Sequence, residues 1–100
     1  MNTLVVVVEP TIAKGAILTS KGEALACFSR PREGDFGRGD PEKVLRAALE
    51  VCSRFNLSLI DNAVVTQFHG DMRTRHFGAD EVMRAIDSLE GVRLWWEEGR

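Results

Sequence analysis

The sequence predicts a mixed α/β domain built on a five-stranded mixed sheet, and three observations carry that expectation. The run Leu4-Val5-Val6-Val7-Val8 is leucine or valine at every position, which suits a strand covered on both faces. Residues 44–55 and 82–89 repeat apolar side chains at helical spacing, as two amphipathic helices would. The chain has 100 residues, the size of one domain with its own core.

The elements follow in order. Residues 3–8 form the first strand, and Pro10 ends it because proline cannot donate to a ladder. Residues 15–19 form a second strand. Ser20-Lys21-Gly22-Glu23 makes a tight turn with Gly22 free to take positive φ, and residues 24–29 return as a third strand. Residues 30–40 hold three glycines and a proline, so they read as an irregular segment. Asp40 is placed to cap a helix that opens on Pro41. The buried face of that helix is Val44, Leu45, Ala48, Leu49, Val51, Cys52 and Phe55, and Asn56 closes it. Residues 63–68 form the fourth strand, and residues 69–78 a second polar loop. A second helix starts at Gly78, with Glu81 at its third position, Phe77 stapled onto Val82, and Gly91 as its stop. Residues 92–96 form a short fifth strand. The expected order is β-β-β-α-β-α-β, with sheet order 3-2-1-4-5 and right-handed crossovers after each helix.

Composition narrows the function classes. Apolar residues make up 44% and charged residues 28%, which is ordinary for a globular domain. A net charge of −2 provides no global field for nucleic acid or membrane. The N-terminal apolar run is too short for a signal segment or a membrane span, so a cytoplasmic protein with no membrane partner is expected. Cys27 and Cys52 lie in no metal or redox spacing and read as small buried hydrophobes.

The stretch Val5-Val6-Val7-Val8-Glu9-Pro10-Thr11-Ile12-Ala13-Lys14-Gly15-Ala16-Ile17-Leu18 resembles the first hairpin of the ribonuclease H-like fold. Lys21-Gly22-Glu23-Ala24-Leu25-Ala26 resembles its second turn. The likeness extends over most of the chain in element order and over about twenty-five residues in motif. It implies a carboxylate at the end of the first strand, where Glu9 stands in place of the usual aspartate. It also implies a second carboxylate near the end of the fourth strand, where the chain reads Thr66-Gln67-Phe68-His69. Metal-dependent phosphoryl transfer needs clustered carboxylates. With Gln67 in that place, and Pro10-Thr11 where the family has glycines, the resemblance implies the fold without the catalysis. The two-domain ATPases of the group are excluded on size.

On that topology the strand ends deliver Glu9, residues 30–40 and residues 69–78 to one sheet edge, where ligands of open α/β sheets bind. The candidates for an anion or ligand are Glu9, Arg30, Arg32, Arg38, His69, Asp71, Arg73, Arg75 and His76. Arginine's planar fork suits phosphate or carboxylate. The plainer reading of the same residues is a set of solvated loop charges paired with Asp35, Asp40 and Asp71. Glu9, His69, Asp71 and His76 show no ligand spacing, so no metal and no cofactor is expected. Trp95 and Trp96, on a short edge strand, are candidates for a self-association surface. The leading expectation is a small non-catalytic interaction protein, homodimeric through the fifth-strand end or a helix face. The alternatives are a nucleic-acid-binding or nuclease-like domain using Glu9, Asp71 and the arginines, and a small-molecule module lined by Phe36 and Phe77.

Overall fold

The computed structural model describes the backbone of residues 1–98 and the side chains of residues 1–89. The strands are β1 (Thr3–Val8), β2 (Ile12–Leu18), β3 (Ala24–Pro31), β4 (Asn62–His69) and β5 (Asp71–Phe77). The helices are α1 (Asp35–Arg38), α2 (Pro41–Val51) and α3 (Ala79–Glu98), with a 3₁₀ turn at Leu57–Leu59 between α2 and β4. The sheet is mixed and ordered β3-β2-β1-β4-β5. β1 pairs antiparallel with β2 and parallel with β4, so it lies at the centre.

The alternation of a β-strand decides the layers. Leu4, Val6 and Val8 of β1, Ala13 and Ile17 of β2, and Ala63 and Val65 of β4 all point one way and are at most 1% exposed. Onto this face pack Phe36 of α1, Val44, Leu45, Ala48 and Leu49 of α2, and Val82 and Ile86 of α3, in one continuous core. The opposite set, including Val5, Val7, Val64 and Phe68, is only half-buried. Among the described residues the architecture is two-layered, with helices on one face. The all-apolar β1 therefore has one sealed face and one that no helix crosses.

Local chemistry explains the elements. Asp40 caps α2, its carboxylate accepting the Lys43 N–H at 2.9 Å, with Pro41 opening the helix. In the β2–β3 turn the Thr19 hydroxyl accepts the Glu23 N–H at 3.2 Å, and Gly22 sits at φ 83°. At Gly15 a closely approaching ring requires glycine: the Phe28 side chain from β3 lies across it, and a Cβ there would collide with that ring. Phe28 in turn meets Phe36 with centroids 6.0 Å apart, which holds α1 against the sheet.

Five expectations are corrected. The fifth strand is residues 71–77, where a polar loop was expected, and it runs antiparallel to β4. A hairpin turning on Gly70, at φ 85°, makes it. Every residue of β5 before Phe77 is exposed, so no burial imposed an apolar alternation on its sequence. Residues 92–96 are not a strand but belong to α3, which runs through Gly91. A mid-helix glycine costs only about 1 kcal/mol relative to alanine, and Val82 and Ile86 anchor the preceding turns. Residues 30–40 are not wholly irregular, because β3 extends to Pro31 and α1 forms one helical turn. Cys27 is exposed on the edge strand β3 and is not a core residue. Asn56 caps the 3₁₀ turn, accepting the Ser58 N–H at 3.1 Å, rather than closing α2.

Gly15→Ala should lower stability by about 1–3 kcal/mol through overpacking against Phe28. Urea unfolding of the two proteins checks this.

Candidate functional site

β1, β3 and β4 run in the same direction, so their C-terminal ends share an edge. β1 ends at Val8 before Glu9, β3 at Pro31 before Arg32, and β4 at His69. The guanidinium of Arg32 ties the three together. Its Nη1 donates to the Glu9 carbonyl at 3.3 Å, and its Nη2 donates to His69 Nδ1 at 2.9 Å. A guanidinium can only donate, so Nδ1 is the acceptor and the imidazole proton sits on Nε2. Beside Arg32 a cleft of about 460 Å³ is lined by Glu33, Gly34, Gly37 and Arg38. Phe36 anchors this segment from below, only 8% exposed.

Gln67 supplies the second tie. It is 4% exposed on the helix-facing side of β4, and its Nε2 donates to the Gly39 carbonyl at 3.0 Å. A carboxylate at this position has no proton to donate once ionised. The glutamine is thus a structural clamp between β4 and the segment leading into α2. Its signal in the sequence was a single polar residue in the inward register of Ala63 and Val65.

The other candidates are distributed differently. The Glu9 carboxylate lies 3.6 Å from Lys14 Nζ. Asp71 and Arg73 lie at the same edge but pair with each other at 3.7 Å, and both are largely exposed, so the pair contributes little. Among the described residues Arg30 donates only to its neighbour's carbonyl, at Ser29. Arg75 lies farther along β5, stacked over Phe77 at 4.7 Å and bonded to Glu81 at 2.7 Å. His76 occupies the opposite face of β5, opposite Val64. The expected gathering of nine residues at one sheet edge is therefore reduced. Arg32, His69 and the Glu9 backbone meet, Arg38 shares their cleft, and Arg75 and His76 stand apart. The expected apolar lining is also divided, since Phe36 lies under the cleft and Phe77 lies beside the start of α3. The side chains of Trp95 and Trp96 fall outside the described residues; their backbone is helical.

Among the described residues no three His, Cys, Asp or Glu side chains group closely enough to hold a metal ion, and no helix is long and apolar enough to cross a membrane. A second groove of about 290 Å³ runs between α2 and α3 over Leu45, Phe77 and Ala85. Its rim balances Glu42 and Glu81 against Arg46 and Arg84. Glu81 accepts the Gly78 N–H and the Arg75 guanidinium, and these bonds, the backbone one first, hold its carboxyl below the usual glutamate range. It serves as the cap of α3. Burial pushes the Cys52 thiol up, which disfavours the nucleophilic thiolate. No protein-family model matches the chain, and no curated protein matches it significantly.

Gln67→Glu should destabilise the fold by about 1–3 kcal/mol, the cost of losing a buried donor to a carbonyl. The loss should grow with rising pH, because only the protonated acid can still donate; urea unfolding at acid and neutral pH reads it. The Glu81 cap should show its own dependence. A carboxyl held below its unfolded range stabilises above that range, and the stabilisation disappears as pH falls through the folded value. The difference in Tm between wild type and Glu81→Gln should thus be full at neutral pH and vanish on acidification.

Proposed function

We propose that this chain is a non-catalytic binding protein that takes an oxyanion-bearing ligand, a phosphate or carboxylate group, at the C-terminal edge of its parallel strands. The reading treats the meander and the first crossover as those of a ribonuclease H-like sheet, with the hairpin to β5 as a departure, and takes the chain to keep the ligand edge and lack the carboxylate pair. One observation carries it: the Arg32 guanidinium is held in place by Glu9 and His69 while bordering an open cleft. A guanidinium has five N–H donors, and these two bonds leave the others without a protein acceptor among the described residues. A fork already oriented loses little side-chain freedom when it meets an anion. Arg38 adds a second positive charge, and Gly34 and Gly37 bring bare backbone to the same wall. Glu33 on the rim disfavours a polyanion, and Arg75 is committed to Glu81. No continuous basic track for a nucleic-acid backbone therefore runs along β5.

Titration of the protein with inorganic phosphate and with acetate, followed by backbone amide NMR, tests this. The expected shifts concentrate at residues 32–38 and at His69. They should saturate with at least millimolar affinity, and Arg32→Ala should weaken binding about tenfold or more, as loss of charge-assisted bonds would. Arg38→Ala removes charge without touching the tie to β4 and should also weaken it. Shifts spread evenly over the surface, or binding unchanged in both variants, would overturn the reading.

A further inference from the structure

The outer face of the sheet is a second surface, independent of the anion edge. Val5 and Val7 of β1, Ile12 of β2, Val64 and Phe68 of β4, and Met72 of β5 project from it, and no helix among the described residues crosses it. Met72 is 64% exposed and the others are half-buried by their own neighbours. A contiguous apolar face on a sheet marks a contact surface rather than a finished exterior.

Its polar groups indicate what covers it. The Thr66 and Thr74 hydroxyls, cross-strand neighbours on this face, bond each other at 3.1 Å. The charge of Lys14 is met by Glu9 at 3.6 Å. Asn62 Oδ1 at the start of β4 is without a hydrogen-bond partner among the described residues, and His76 flanks Val64. Around Val5, Val7 and Val64, however, the face is apolar, and its Lys14–Glu9 ion pair is internally balanced, so it shows no net field to attract a charged partner. A neutral, flat, apolar surface is its complement, and an identical face has that character.

The area also fits. Strands about 4.8 Å apart with a rise of about 3.3 Å per residue give five strands of seven residues a footprint on the order of 550 Å². Side-chain relief raises the accessible area above this flat footprint. The result approaches the roughly 800 Å² that each partner of a standard stable interface buries.

We infer that a second copy of this chain packs on the outer face, sheet against sheet, about a two-fold axis. The dimer surface is then the outer side of the sheet, centred on β1 and β4, not the end of the chain and not a helix face. Two-fold packing places the same patch on both sides of the interface, and aligned sheets would stand about 10 Å apart with side chains interdigitating. The contact runs across the strand faces and leaves the backbone edges of β3 and β5 unpaired, so this arrangement differs from pairing of strand edges.

Light scattering on the purified chain tests it, with Val7→Lys as the disrupting variant. Val7 lies on the central strand, remote from both sheet edges, so the substitution breaks face packing and leaves edge pairing intact. The wild type should show twice the 11.1 kDa chain mass, and Val7→Lys the single mass with an unchanged circular dichroism spectrum. Should Val7→Lys fail to fold, the near-isosteric pair Val5→Thr with Val64→Thr replaces it, and the dimer dissociation constant should rise about tenfold or more as hydroxyls are buried. Arg46→Glu on the helix side should leave the dimer unchanged. A wild-type monomer at concentrations up to about a millimolar, where a stable interface would be saturated, would overturn the inference. So would a dimer insensitive to the face variants that fold, or growth beyond the dimer through strand edges.

Discussion

The parallel pairing of β1 with β4 is the joint on which the rest of the molecule depends. Parallel neighbours cannot be joined by a hairpin, so the chain between β3 and β4 must cross over the sheet. It does so through α1, α2 and the 3₁₀ turn, and the apolar stripe of α2 covers the inward side of β1 and β4. The hairpin to β5 then returns the chain so that α3 packs on the same side. Burial of Leu4, Val6, Val8, Ala63 and Val65 follows from that joint. The half-exposure of Val5, Val7 and Val64 follows from it too.

The same pairing creates the polar edge. Parallel strands end together, so Glu9 and His69 come side by side, and β3, parallel to β1, brings Arg32 to them. The crossover must leave this edge and climb to α2. Its polar groups are satisfied there by a few specific bonds: Arg32 donates to the Glu9 carbonyl and His69, Gln67 donates to the Gly39 carbonyl, and the Asp40 carboxylate accepts the Lys43 N–H. Phe28, lying over Gly15 and against Phe36, supplies the apolar counterpart. The segment carrying Arg32 and Arg38 is therefore held by both kinds of contact, which keeps its donors oriented.

Legibility in the sequence varied with burial. α2 was readable because one face meets the core and its cap is a local hydrogen bond. The meander was readable because β1 is strongly apolar and Gly22 marks the turn. β5 was hidden because an exposed edge strand needs no apolar alternation, so Arg73, Thr74 and Arg75 passed for loop residues. Residues 92–96 carried a strand-like pattern, yet their backbone continues α3. At the edge, the neighbourhood of Glu9, the segment after β3 and His69 could be expected from strand direction alone. The roles of individual residues could not: Gln67 passed for a missing carboxylate and proved to be a clamp.

What the sequence by itself determined is local: the α/β class, the central strand at Leu4–Val8, the capped helix beginning at Pro41, and the turn at Gly22. Each depends on periodicity or on hydrogen bonds between residues a few positions apart. The tertiary structure alone decided which side chains of long-range neighbours touch. Arg32 and His69 stand thirty-seven positions apart and touch only because two strands end together. Which face of β1 is sealed was likewise decided there, because leucine or valine at every position from 4 to 8 is compatible with cover on either side. Only the placement of the helices assigns it.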